Sequence, residues 1–265
     1  MSGFDPQMVR FILFIAGVAI FWLAELIFPY RRPSVSKFKR LLTNMGTAAL
    51  NAIILRVLAA TFIVGAAMYV TEHKMGVLHL VQMPYWARVV VAVVFLDFML
   101  YIWHLLLHVL PLLWRFHRVH HSDLNMDVTT ASRFHVGELF ISTCITIALI
   151  FFLGADLLSV VIFETILMAC SQFEHSSIKT PEWFEKLFWI LFVPPAMHRI
   201  HHSVVIKERN TNYGTIVSIW DRIFGTLKTD VNQDEIKIGI GAYNTRPKKV
   251  NFLGMLIMPF TKAVR

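Results

Sequence analysis

The chain carries HRVHHS at residues 117–122 and HRIHHS at residues 198–203. In a helix, residues three and four places apart share a face. His117 therefore stacks with His120 and His121, and His198 with His201 and His202. HLLLH puts His104 and His108 on one face in the same way, and SQFEH ends in His175. Imidazoles crowded onto one turn repel each other when protonated and leave ring nitrogens to satisfy when buried. A metal ion resolves both problems, because it binds neutral imidazole through the lone pair.

The ligand count selects the chemistry. His104, His108, His117, His120, His121, His175, His198, His201 and His202 make nine candidate ligands. A zinc site takes about four. Nine is too many for one ion and suits two. A pair of imidazole-wrapped ions fits iron, which accepts more ligands than zinc and leaves positions open for oxygen. No HExxH occurs, so the zinc-protease signature fails. HLLLH alone is a weak signal; the ordered set of clusters carries the reading. His135 is open to two roles, a tenth ligand or, the favoured one, a group near Glu138 that supports a ligand from behind. His73 and His79 sit apart in the 71–84 connector and are expected at the surface.

Asp97 lies at helical spacing from Tyr101, His104 and His108, so all four share a face. A carboxylate within an apolar helix is costly and therefore acts or pairs. Two roles stay open for Asp97. It accepts the second N–H of a ligand histidine, or it pairs with Arg56 or Arg88.

The surrounding chain must place these residues. Of 265 residues, 56% are hydrophobic and 16% charged, against about a quarter charged in soluble domains. The composition predicts an all-α integral membrane protein. The net charge of +8 suits anionic lipid head groups. The 22 Phe and the long apolar runs argue against nucleic acid as a partner. Cys144 and Cys170 form no CxxC and are expected as buried small hydrophobes.

Apolar runs cover 8–29, 44–70, 85–110 and 138–172. The first lacks a basic leader and a cleavage site, so it is expected to stay in the protein. The second is interrupted by Arg56. The last is too long for one span, and Gly154, Ala155 and Asp156 break it into a helical hairpin. About four transmembrane helices result, one of them a hairpin, with a histidine-rich helical cap. The stretch 251–260 is too short to span and is expected in the interface. Arg31, Arg32, Lys37, Lys39 and Arg40 make 31–40 the most basic loop, hence cytoplasmic. That orientation puts every major histidine cluster on the cytoplasmic side of a multi-pass protein. The whole of 1–265 reads as one domain: membrane helices over 8–84, a histidine-motif region over 85–228, and a tail over 229–265.

HxxxH, HxxHH and HxxHH, in that order behind membrane helices, resemble the fatty acid hydroxylase / sterol desaturase superfamily of membrane di-iron oxygenases. DFMLYIWHLLLH, RVHHSDLNMDVTTASRFHVGE and RIHHSVVIKERNTNYGTIVSIWDRIFGTL carry the resemblance across about 90–228. Asn212, Tyr213, Gly214 and the WDRIFGT string at 220–226 resemble the alkylglycerol monooxygenase branch. The resemblance implies two Fe ions, O2 as co-substrate, and hydroxylation of a C–H bond in a fatty acyl, sterol or ether lipid drawn from the membrane. A desaturase with the same site is the alternative. No fused cytochrome or cysteine cluster is present, so a separate electron-transfer protein is implied. Zinc is expected to replace iron in purified protein, since it binds imidazole sites more tightly. Related hydroxylases carry a further histidine where Ser171 stands, leaving Gln172 or a water to fill that position. Arg118 and Arg199 are expected in structural ion pairs, and Trp220 and Asp221 in the fold of the cap.

A membrane metal transporter is the non-enzyme alternative. It needs polar residues near the midplane, where these runs are apolar. A haem carrier needs two axial histidines on separate helices, which makes triplets on one turn wasteful.

Overall fold

The first and third apolar runs fold as single long helices, the last as a hairpin of two, and the second not as one span. The structure is a computed structural model that describes residues 6–58, 60–244, 250–262 and 264. Helix α1 is Pro6–Ile27, α2 is Lys37–Leu58, α3 is Ala60–Glu72 and α4 is Tyr85–Val109. Then come α5 Pro111–His121, α6 Val136–Leu153 and α7 Leu157–His175. Shorter helices complete the cap: α8 Glu182–Phe188, α9 Pro195–His201, α10 Ile206–Arg209, α11 Ile219–Ile223, α12 Gly241–Asn244 and α13 Phe252–Ile257. Among the described residues no β-strand forms, only isolated bridges such as Ser203 with Ile238. Helices α1, α4, α6 and α7 are long and apolar enough to cross a membrane, and these four are the candidate spans. Their outward faces stay apolar and uncovered, as at Phe11, Ile20, Val94 and Phe152. Cys144 also faces outward from α6, against the expectation that it is buried, and Cys170 is half-buried.

The 44–70 run is two helices, α2 and α3, rather than one span. Its hydropathy conceals a polar stripe at helical spacing. Asn44 donates to Thr129 Oγ1 at 2.8 Å and Asn51 to the Phe134 carbonyl at 2.8 Å. Helix α2 thus turns one face to the 123–134 segment of the cap. At its start, Arg40 meets Asp123. Beyond the end of α3, Gly76 packs on Gly154 in the hairpin turn. The two helices together run from the histidine end of the bundle to the hairpin end.

The hairpin forms where the sequence breaks. Gly154 ends α6 with φ of 79°, and Asp156 caps α7 by accepting from the Ser159 amide at 2.9 Å. A Cβ on Gly154 would stand 2.2 Å from the Met75 carbonyl oxygen. Gly154→Ala is therefore expected to cost about 1–3 kcal/mol from the left-handed backbone alone. Thermal unfolding in detergent measures it, and an unchanged midpoint would mean that the turn relaxes freely.

Proline starts both triplet-bearing helices. Pro111 follows Leu110, whose backbone is extended, and opens α5; Pro195 opens α9. Proline fits a first helical position and stops the helix before it. The break between α4 and α5 folds His117 back onto His108, ring centroids 5.0 Å apart.

The C-terminal stretch 251–260 packs on the cap. Met255 and Met258 are buried with Trp114, Val119 and Tyr243, while Leu253 and Phe260 stay exposed. Arg118 pins this tail by donating to the carbonyls of Lys262 at 2.9 Å and Thr261 at 3.0 Å. Arg199 donates to Gln233 Oε1 at 2.8 Å and lies 3.6 Å over the Tyr30 ring. The ion pairs expected for Arg118 and Arg199 are thus replaced by bonds to neutral oxygens and an aromatic face. His73 is exposed and His79 is part-buried.

Candidate metal centre

The nine histidines converge on two adjoining points. His104, His108, His117, His121 and His201 form one group; His120, His175, His198 and His202 form the other. Within each group all ligating nitrogens lie within 4.8 Å of one another. Every one of these side chains is buried. Each triplet is shared between the groups. Successive helical residues turn by about 100°, so the adjacent pair in HxxHH points two ways. His117 and His121 serve the first group and His120 the second. In α9 and its C-cap residue His202 the assignment reverses: His198 and His202 serve the second, His201 the first. The groups touch where His121 stacks on His202, ring centroids 4.4 Å apart.

The rings are held from behind. His104 Nδ1–H donates to the Tyr213 carbonyl at 2.8 Å, His201 to Thr211 at 2.8 Å, and His175 to Ser171 at 2.7 Å. A carbonyl only accepts, so in each neutral ring Nε2 carries the lone pair. His117 Nδ1–H donates to Glu138 Oε1 at 2.8 Å, and His108 Nδ1 lies 3.3 Å from Asn210 Oδ1. In front, Nε2 of His104, His108 and His201 is buried without a partner among the described residues. In the second group Nε2 of His175 stands 2.9 Å from that of His198 and 3.1 Å from that of His120. Ring nitrogens that converge with no partner among the described residues, or with only one another, are the donor set of a cation site. The residues fit two ions.

Burial, and then the neighbouring imidazoles, push His120, His121, His198, His201 and His202 well below the ordinary 6.5. They stay neutral in the fold and take up protons only once unfolded. Their lowered values therefore make the metal-stripped protein lose stability as pH falls below 6.5. Each contributes up to about 1.4 kcal/mol per pH unit. A melting series between pH 7 and pH 5 after chelation checks this, and a flat series would contradict the buried neutral cluster.

A cavity of about 500 Å³ opens between α4, α6 and α7. Leu100, Trp103, Leu107, Leu139 and Leu167 line its wall. One end is formed by His104 and His117 of the first group and His120, His175 and His198 of the second. Both candidate ion sites thus face one apolar space, of a size that holds a small amphiphile.

Residues 89–226, just over half of the chain, match the model of the fatty acid hydroxylase family. The chain belongs to that family. The matched region contains all nine histidines. Ornithine lipid hydroxylase OlsE of Rhizobium tropici is 34% identical over 188 residues, 69% of this chain and 54% of that protein. Human cholesterol 25-hydroxylase is 29% identical over 136 residues, 50% of this chain and 48% of its own length. Human alkylglycerol monooxygenase is 26% identical over 135 residues, covering 51% of this chain and 29% of that protein. The chain spans about half the length of the first two of these relatives. No solved structure matches. By name, these relatives are two hydroxylases, which act on an ornithine lipid and on cholesterol, and a monooxygenase of alkylglycerol.

Other residues singled out in the sequence take varied places around this family's histidines. Glu138 orients His117. His135 touches no ligand: it caps α6 by accepting from the Gly137 amide at 3.0 Å and reaches the Leu256 carbonyl at 3.2 Å. It acts on the site only by starting the helix that carries Glu138. Asp97 accepts from Trp220 Nε1–H at 2.7 Å, which replaces the expected histidine or arginine partner. The Arg56 side chain lies outside the described residues. Ser171 offers its carbonyl to His175. Gln172 turns to α1, donating to the Phe14 carbonyl at 3.1 Å, so it does not fill a coordination position.

Three neighbours of the ligands were not foreseen in that place. Glu174 places its carboxylate 3.7 Å from His175 Nδ1 and 3.6 Å from His198 Nδ1. A carboxylate ending an apolar run beside His175 was the available signal. Asn210 backs His108 from a polar loop with no distinguishing pattern. Asp221 accepts the Tyr213 and Gly214 amides, both at 2.8 Å, and so fixes the carbonyl that holds His104.

Proposed function

We propose that the chain is an O2-dependent di-iron hydroxylase acting on a C–H bond of a membrane lipid. One observation carries this reading: both histidine groups form the end wall of one apolar cavity among membrane-crossing helices. His104, His108, His117, His121 and His201 would hold one iron, and His120, His175, His198 and His202 the other. Bound iron supplies the activation of O2 that an unactivated C–H bond requires. The chain's residues do the rest. The leucines and Trp103 keep water from an alkyl chain and set which carbon meets the end wall. Glu138, Ser171, Thr211 and Tyr213 hold the imidazoles in register.

Hydroxylation puts one oxygen atom of O2 into the C–H bond and reduces the other to water with two electrons and two protons. The electrons come from a separate protein. The basic 31–40 segment sits beside the cap, Arg40 bonding to Asp123, which favours a cytoplasmic active site.

The test is metal content and turnover of protein made with iron supplementation and purified in detergent. About two irons per chain, and O2-dependent addition of one oxygen to a membrane lipid, support the reading. Loss of two hydrogens instead would make it a desaturase. Iron-loaded protein that oxidises no lipid from its own membrane, given reductant and O2, would overturn the oxygenase reading.

A further inference from the structure

The cavity has a second end. Glu164 of α7 lies eleven residues before His175, or roughly 16 Å along the helix. Arg10 of α1 reaches across to it, Nη1 donating to Glu164 Oε2, and both side chains line the cavity. Leu96, Leu149 and Phe163 line it at the same depth. The opposite end of α1 is tied into the cap, where Glu25 accepts the amides of Val128 at 2.8 Å and Ser177 at 2.9 Å. The ion pair is therefore remote from the histidines. Between the two ends Ser142 and Thr146 are polar but uncharged.

Glu164 is largely buried while the Arg10 side chain is partly exposed, and a carboxylate set into an apolar bundle is expensive unless it is paired. This pair is also incomplete. Arg10 Nε–H is buried with no acceptor among the described residues. A ligand group that accepts from Arg10 and donates to Glu164 completes it. A hydroxyl does both and brings no net charge. A carboxylate or phosphate would meet Glu164 as a like charge, and an ammonium would meet Arg10, in surroundings where an uncompensated charge is costly.

We infer that Arg10 and Glu164 form a hydroxyl-binding floor, so that the cavity takes a neutral hydroxyl-ended amphiphile and presents its opposite, apolar end to the histidines. The inference rests on the hydroxylase reading and fixes the orientation of its substrate. Oxidation then falls on carbons far from the existing hydroxyl.

Binding is measured on iron-supplemented protein held without O2 or reductant, by displacement of tritiated tetradecan-1-ol. The competitors are tetradecan-1-ol, tetradecanoate, tetradecylammonium and tetradecane. The alcohol should bind about tenfold tighter than the other three, the worth of one hydrogen bond to a charged group. Arg10→Met with Glu164→Leu keeps the apolar packing of the bundle and should abolish this preference. Glu164→Gln leaves Arg10 uncompensated and should turn the preference to tetradecanoate, which a merely structural pair would not do. Equal binding of the four competitors, or an alcohol preference that survives the apolar double substitution, overturns the floor. With O2 and reductant, a new hydroxyl in the half of the chain remote from the first supports the orientation, and one beside it overturns it. The selective binding pattern without any oxidation would keep the floor and count against the hydroxylase reading instead.

Discussion

Alanine at both His175 and His202 is expected to halve the metal content of the protein and abolish its turnover. The two residues belong to one group, which would keep only His120 and His198; the other group keeps all five of its histidines. Two imidazoles do not hold an ion through purification, whereas an intact set does. Metal content should therefore fall from about two ions per chain to about one. Turnover should vanish because the cavity end wall is built from both groups. Glu138→Gln is the complementary variant. It leaves every ligand in place but weakens the acceptor that orients His117. Support of this kind is worth about 10- to 100-fold in metal affinity, and the loss should fall on the first group alone. Elemental analysis after gel filtration, with a melting curve to show that each variant folds, reads both results. If the double alanine variant lost all of its metal, the groups would be one site; if it lost none, the lone pairs would not be a cation site.

The histidines were legible because metal chemistry restricts both residue type and spacing. Their division was not. HRVHH and HRIHH are nearly identical strings, yet α5 gives two ligands to the first group and α9 with its C-cap residue gives two to the second. That reversal depends on how two helices 81 residues apart in sequence face each other. The hairpin was legible because Gly154 and Asp156 act locally, one by its left-handed backbone and the other as a cap. The 44–70 run was misread for the opposite reason. Summed hydropathy weighs Asn44 and Asn51 only as interruptions, whereas in the helix they align into a stripe that seeks the cap. Asp97, Arg118 and Arg199 announced that they needed partners. The partners are Trp220, the carbonyls of 258–262 and Gln233, all brought in by tertiary packing.

Arg40→Met is expected to destabilise the protein by about 3–5 kcal/mol, the cost of leaving buried charge without its partner. Arg40 donates to both oxygens of Asp123, at 2.6 and 2.7 Å, and to Asp127 at 2.6 Å. All three side chains are buried. Burial would raise the Asp123 carboxyl, but Arg40 and then Arg133 outweigh it and hold that carboxyl below the ordinary carboxylate range. A lowered carboxyl value gives stability that is present above the ordinary value and lost only as pH falls through the lowered one. Without Arg40 the Asp123 carboxylate loses the main partner that holds it charged and must take up its proton at higher pH. The stability gap between Arg40→Met and the parent should therefore narrow as pH falls from 7 toward 5. Adding Asp123→Asn to Arg40→Met should restore part of the loss at neutral pH. Arg40→Lys should not rescue it, because one ammonium cannot reproduce a planar fork that serves two carboxylates. The effect should also reach the metal. The 123–134 segment that Arg40 ties to α2 ends in Phe134, which stacks on His120 with ring centroids 4.6 Å apart. Parallel melting curves and metal analyses of the three variants decide the matter. Equal stability of Arg40→Met and the parent at neutral pH would show that the carboxylates find other partners.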